Sequence, residues 1–487
     1  MSRKVAPDNP PQNAATPSRP PSSRHSPEPL SVPPDVSIYE ILRAAQDQPV
    51  VFYMGAGLSI AHPSCGPKGT QVADKLRPFV AELVNARTTD VTEPDLESLA
   101  ARVAREAPGR MADFKVRASE AAEFRTMEPN YGHQAVALLM REGVITGVSV
   151  NWDRGIENAA RRIDLEIEAV ASQQERLQPR QALRLYKVHG CAKRPQTLAV
   201  TKAEVDAPQG WAKAEVARAV AAGMVVFLGL GTVGMYVTEP IKDIVELWAL
   251  DGATVRVVDL FGVSDAWKKT LGEAAADVEI VMGADAFLDD LLRALVADAL
   301  SRTGAAVREL VDEAEWTKRM LAGFETVRAA FEQAPANGIL RWWRDGVTSD
   351  QDGRAFVLDE RGRETLMAVS LMASHDGGTV HVTGGEEHLT VRSEYRYLEI
   401  ASMPELTFAD IDRKVRERVR RGRNVGRLRP GLSVAAVVHG GRGSFPSPSA
   451  PPDIAAEDVA VGDVGSETVG DVRLVRAEDA VAGALAA

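Results

Sequence analysis

Between Ser37 and about Leu300, short apolar runs alternate with helical patterns, and the apolar runs end in residues that a strand interior seldom carries. Val50-Val51-Phe52-Tyr53-Met54 ends in Gly55-Ala56-Gly57, and Val144 to Val150 runs into Asn151-Trp152-Asp153. Leu185-Tyr186-Lys187-Val188 ends in His189-Gly190, Met224 to Leu228 in Gly229-Leu230-Gly231-Thr232, and Thr254 to Val258 in Asp259. Helical periodicity covers Gly132 to Glu142, with apolar Ala135, Leu138 and Leu139 on one face, then 154–162, then Ala286 to Leu300. Such alternation predicts an α/β domain: a Rossmann-like parallel sheet with helices on both faces. The carboxyl ends of the strands in an open α/β sheet are where ligands bind, and the unusual residues all fall there.

That domain is expected over 36–300. Residues 1–35 are rich in Pro, Ser and Asn, bury too little apolar area to offset chain entropy, and read as a disordered tail. Residues 301–440 read as a smaller α+β region. Trp316, Met320, Phe324, Val327 and Phe331 form one helical stripe, and Phe408, Ile411, Val415 and Val419 another, ending near Gly422. Between them, Thr379 to Val382 and Leu389 to Val391 flank Gly384-Gly385 as a hairpin. The rest, 441–487, reads as a Pro/Ser/Ala linker near 444–453 and then at most a strand–helix fragment. The sequence shows no internal repeats.

Composition narrows the function. The net charge of -11 argues against whole-chain affinity for nucleic acid or an anionic membrane. No run approaches the roughly 18 apolar residues of a membrane span, and the N-terminus has no apolar secretion core. Two cysteines, Cys65 and Cys191, allow neither a disulfide framework nor a four-thiolate zinc site. A reducing cytoplasm and no metal are therefore expected. The basic residues from Arg413 to Arg429 read first as a solvated helix face and second as a nucleic-acid contact. His375, His381 and His388 lie near the hairpin at spacings that fix no metal geometry.

Each motif has a bland reading beside the chemical one. Gly55, Ala56, Gly57 and Ser59 form either an ordinary turn or a loop approached closely by a phosphate, with a helix N-terminus behind it. Asn151 and Asp153 are either helix caps or a paired amide and carboxylate at a ligand. His189 is either a satisfied histidine or a base of pKa near 7, with Gly190 removing bulk beside its ring. Gly229, Gly231 and Thr232 form a second glycine turn, and Asp259 is either a cap or an acceptor for a ribose diol.

Taken in order over roughly 48–300, these motifs resemble the sirtuin-like superfamily, and more closely its bacterial NAD-hydrolysing branch. Gly55-Ala56-Gly57-Leu58-Ser59 is similar to the opening Gly-Ala-Gly-x-Ser loop. Asn151, Asp153 and Glu157 are similar to the Asn-x-Asp-x-x-x-Glu of that branch, and Lys187-Val188-His189-Gly190 to its His-Gly motif, followed by Leu198 to Thr201. Gly229 to Thr232 stands for the second glycine turn, and Asp285 to Leu292 for the closing helix. Protein-deacylating members carry a Gln before the Asn and a four-cysteine ribbon, whereas this chain has Val150 and no ribbon. The resemblance implies an NAD hydrolase with NAD as substrate. Gly55, Ala56, Gly57, Ser59, Gly190, Gly229, Gly231, Thr232 and Asp259 would bind, and His189, Asn151 and Asp153 would carry the chemistry. It also implies an anti-phage effector, expected as a homo-oligomer answering to a phage-derived or partner-protein trigger. A protein deacylase and a non-catalytic NAD or ADP-ribose sensor stay open as alternatives.

Overall fold

Strand β1, Val50–Met54, is buried along its whole length, as a strand covered on both faces must be. In the computed structural model it is the middle of seven strands. The structure describes residues 36–163, 165–179, 182–207, 209–220, 223–231, 254–272, 278–309, 322–330, 336, 340, 379–382, 388–392, 396–402, 408–424, 433–439 and 472–476. The tail 1–35, Thr232, Trp316, Met320, Phe331, His375, the linker near 444–453 and the basic residues beyond 424 lie outside the described residues.

The other strands are β2 (Ile145–Ser149), β3 (Ile167–Val170), β4 (Leu183–Lys187), β5 (Met224–Leu228), β6 (Thr254–Asp259) and β7 (Glu279–Val281). Their order is β3-β4-β2-β1-β5-β6-β7, and every pairing is parallel. The protein therefore has an α/β fold with a seven-stranded all-parallel sheet. The chain leaves β1 toward β2 on one side and leaves β5 toward β6 on the other. A crevice at the strand carboxyl ends between β1 and β5 follows from that reversal.

Alternate residues of β1 serve opposite faces. Val50, Phe52 and Met54 join one core with helices α1 (Val36–Asp47), α5 (Tyr131–Arg141), α6 (Gly155–Arg161) and α11 (Ala284–Glu309). Val51 and Tyr53 join a second core with Trp211 and Val216 of α9 (Gly210–Val220) and Trp267 of α10 (Asp265–Leu271). Two short helices, α7 (Gln173–Leu177) and α8 (Lys202–Asp206), complete the α/β connections.

A third core lies in the long connection from β1 to β2. Helices α2 (Gly69–Leu83), α3 (Leu96–Glu106) and α4 (Met111–Ala121) bury Val72, Leu76, Val80, Leu99, Val103 and Phe114 against one another and against Leu198 and Val200. The indole of Trp152 packs on this helical lobe. The chain also contributes to the first core beyond Leu300: α11 continues to Glu309, and Phe324, Val327, Ala336 and Leu340 are buried in that cluster. Arg141 Nη2 donates to the Leu340 carbonyl at 3.1 Å.

Further on, strands β8 (Thr379–Val382), β9 (His388–Arg392), β10 (Arg396–Ser402), β11 (Ser433–His439) and β12 (Val472–Arg476) form a second sheet in the order β12-β11-β10-β9-β8. The expected hairpin is β8–β9, antiparallel, with Thr379 opposite Arg392. Helix α12 (Phe408–Asn424) lies between β10 and β11, which pair in parallel. Strand β12 falls in the stretch read as linker and terminal segment, and its parallel pairing with β11 joins it to this sheet. Among the described residues no helix is long and apolar enough to cross a membrane.

Candidate functional site

The two glycine turns pack backbone on backbone at the crevice. Gly55 N–H donates to the Leu228 carbonyl at 2.9 Å, and Gly57 N–H to the Gly229 carbonyl at 2.8 Å. A Cβ on Gly55 would lie 2.6 Å from the Gly229 oxygen, and one on Gly57 would lie 2.7 Å from the Gly229 Cα. Gly229 sits at φ +62, in the region that disfavours side chains. These glycines are thus fixed by the meeting of the two turns. After β1 the chain makes a four-residue 3-10 turn, Ala56–Ser59, and the next α-helix begins only at Gly69. The helix N-terminus expected directly behind the loop is replaced by that turn, with Ala56 exposed at its tip.

Ser59 turns inward rather than toward the crevice. Its hydroxyl donates to Asp153 Oδ2 at 2.8 Å, lies 3.2 Å from His133 Nε2, and accepts from Asn151 Nδ2 at 3.3 Å. The backbone N–H of Asn130 donates to His133 Nδ1 at 3.3 Å. That assigns the ring proton to Nε2, which then donates to Ser59. The hydroxyl accepts twice and donates once, so its hydrogen-bonding capacity is filled within the protein. His133 is fully buried, and burial holds its pKa below the usual imidazole value, with Lys187 adding to the effect and Asp153 opposing it. Gly155 leaves room for the ring: a Cβ there would collide with the imidazole.

Asp153, itself buried, takes the Ser59 hydroxyl on one oxygen and, on the other, the N–H of Gly155, the first residue of α6, at 2.9 Å. Asn151 lies at the end of β2 and spends both amide hydrogens on protein acceptors, the Gly55 carbonyl at 2.9 Å and Ser59 Oγ. The group it offers a ligand is therefore its carbonyl oxygen. Between them Trp152 meets Phe124 edge to face, ring centres 6.1 Å apart.

His189 stands in the turn after β4, partly buried. Burial lowers its pKa to about 4. Burial thus favours the neutral imidazole, the form that a base needs. Gly190, at φ +92, is required because a Cβ would run into the Thr197 carbonyl, so its place is set by the returning backbone and not by bulk beside the His189 ring. On the far side of the crevice, Gly231 lies at φ +60 after β5, and Asp259 Oδ1 accepts the Phe261 N–H at 2.9 Å. That is the turn-capping role read as the bland alternative for Asp259.

Residues 151 and 153 meet 55 and 59 directly. His189 stands at the end of β4, next to β2, and Asp259 at the end of β6, beyond β5 on the other side. Sequence reasoning missed His133, whose only signal was a polar residue on an apolar helix face. It also gave no role to Lys187 or Glu157, which form a buried ion pair beneath Asp153, Nζ to Oε1 3.3 Å.

The sequence matches no protein-family model and no curated protein. Among solved structures the chain is similar to a Sir2 homologue in complex with NAD, at 15% identity over 53% of this chain and 94% of that one, with a TM-score of 0.35. It is similar to a mutant Sir2 homologue in complex with ADP-ribose, at 17% identity over 55% and 98%, TM-score 0.34. A Sir2 protein bound to a propionylated peptide is similar at 14% identity over 52% and 95%, TM-score 0.29. These likenesses cover about half of this chain and assign no residue a role.

Proposed function

We propose that the chain binds NAD across the β1–β5 crevice and hydrolyses its nicotinamide–ribose bond, giving nicotinamide and ADP-ribose or a cyclic form of it. The observation that carries this reading is the strand order. The five motif-bearing strands β4, β2, β1, β5 and β6 are consecutive neighbours, and all their motifs end at one edge. At about 4.8 Å per strand that edge spans on the order of 19 Å, room for an extended dinucleotide. Its centre is the switch point where α/β sheets bind such ligands.

The chemistry asks little of the protein. Nicotinamide leaves a pyridinium as a neutral molecule, so no general acid is needed. The oxocarbenium-like ribose that remains is a strong electrophile and requires a positioned water more than a strong base. The Asn151 carbonyl oxygen orients that water or the carboxamide. Neutral His189 takes the water's proton as the new C–O bond forms. Ser59, anchored on Asp153, holds the Asn151 amide in place. Asp259 keeps one carboxylate oxygen for a ribose diol, which favours NAD over NADP.

Such an activity endangers the cell that makes it, which fits an anti-phage effector held inactive until a trigger or an assembly step releases it. The test is purified full-length chain incubated with NAD, with nicotinamide followed by chromatography, alone and with acyl-lysine peptide. Release without peptide is expected. Release only with peptide would establish the deacylase alternative, and NAD binding without release under any trigger would establish the sensor.

A further inference from the structure

Beneath the site, the loop after β2 is held by two successive carbonyls. The Trp152 carbonyl accepts the Ala192 N–H at 2.9 Å, and the Asp153 carbonyl accepts the Lys187 ammonium. Both donors flank His189 on the β4 side. The loop is held from the lobe as well: Arg154 N–H donates to the Phe124 carbonyl at 2.9 Å, and Arg125 Nε donates to the Ala192 carbonyl at 2.8 Å. We infer that Lys187 is a positioning residue whose ammonium, held by Glu157, keeps the Asn151–Asp153 loop in register with His189.

Lys187 and Glu157 are each about 2% exposed. Apart from Lys187, neither Glu157 carboxylate oxygen has a hydrogen-bond donor, and its other cation, Arg154, is 3.9 Å away. A buried pair of this kind adds little stability over apolar residues of like volume. What it adds here is a directed donor at a carbonyl that an apolar pair cannot supply. The groups facing Lys187 are Glu157 on α6, Asp153 on the loop, Cys191 after β4 and His133 on α5, and Arg154 faces Glu157. Burial pulls the ammonium toward losing its proton, and Glu157, Cys191 and Asp153 more than restore it. Removing the Glu157 charge therefore brings Lys187 toward titration.

The consequence for turnover rests on the NAD reading, but the consequence for the loop does not. The test uses the full chain with Lys187→Met/Glu157→Leu together and Glu157→Gln alone. The double variant should melt within a few degrees of wild type. Its amides over 151–154 and at 192 should exchange about tenfold faster, while β1 and β5 exchange as before. Nicotinamide release should fall about 100-fold in kcat, as expected for a small misplacement of reacting groups, with KM within about threefold. Glu157→Gln, which takes the carboxylate charge from the ammonium, should exchange faster than wild type at 151–154 and 192 at the same pH. Wild-type exchange in the double variant would overturn the inference whatever the chemistry of the site. Should the double variant not fold, wild-type exchange at 151–154 and 192 in Glu157→Gln would overturn it instead. A wild-type chain that releases no nicotinamide defeats the NAD reading and leaves the exchange result to decide this one.

Discussion

The Ser59 hydroxyl donates to Asp153 Oδ2 at 2.8 Å, tying the turn after β1 to the loop after β2 across 94 residues of chain. Ser59→Ala leaves the His133 ring N–H without that acceptor and Asp153 Oδ2 without its donor. The expected cost is about 1–3 kcal/mol, set by the unmet buried groups more than by the lost bond. Asn151 keeps its bond to Gly55 and so stays near its place. Turnover should fall while NAD binding falls less, because the hydroxyl is filled by protein partners. Denaturant melts and a kcat–KM split check this. A Ser59→Ala chain that loses NAD binding but keeps its stability would place the hydroxyl at the ligand.

Gly57→Ala and Gly229→Ala should each disrupt the crevice. Their Cβ atoms would meet backbone at 2.7 and 2.9 Å, and backbone cannot step aside as a side-chain tip can. Gly229→Ala adds the strain of its left-handed φ, of order 1 kcal/mol or more. Gly69→Ala is the control, since its Cβ meets nothing within 4 Å and it opens a helix. Thermal melts of the three variants should show two losses and one neutral or slightly stabilising change. Equal melting of all three would show that the turns do not pack as described.

Much of this was legible before the structure because it depends on local signals. β5 is Met224–Leu228 as the apolar run predicts, and α5 starts within one residue of its expected place because Asn130 caps it. The helical lobe was not read. Its buried stripe leans on small residues such as Ala73, Ala81, Ala100 and Ala118, which give weak periodicity, and Pro78 sits inside α2. Strands β3 and β7 are edges of four and three residues, too short for a period of two to stand out. The site shows the same division. Strand-end glycines, Asn151 and His189 are visible one motif at a time. His133 is not, because its role exists only once Ser59 and Asp153 fold onto it.

The pH dependence should report His189. In the proposed reaction its neutral form accepts the proton, and burial lowers its pKa to about 4. Activity should hold as pH falls through 6.5, where an ordinary imidazole would be lost, and decline only on approach to about 4. The sign for stability is the same. Between the two values the unfolded chain binds a proton that the folded chain refuses, so stability is complete above about 6.5 and erodes as pH falls, by at most about 3 kcal/mol. His133 is lowered in the same direction and adds to the erosion. Rate and melting profiles from pH 8 to 4 check both, and His189→Gln should flatten the melting profile. An activity midpoint near 6.5 would mean that the imidazole is solvated in the working enzyme.

The segment beyond Leu300 should prove partly structural. Phe324, Val327, Ala336 and Leu340 are buried in the core that holds α1, α5 and α11, and Leu340 accepts from Arg141. Ending the chain at Leu300 removes three large apolar side chains, at about 1.5–3 kcal/mol each, from a fold whose net stability is of that order. That truncation should aggregate or melt well below the full chain. A chain ending near 345 keeps these contacts and loses only the later residues, the second sheet among them. It should melt close to the full chain and release nicotinamide at a changed basal rate or assemble to a different size, since that is how a restraining region would act. Melting curves, size-exclusion mass and basal turnover of the two truncations separate the roles. A stable chain ending at Leu300 would show that the core closes without residues 324–340. A chain ending near 345 that matches the full protein in rate, in response to phage challenge and in assembly would remove the second sheet from regulation.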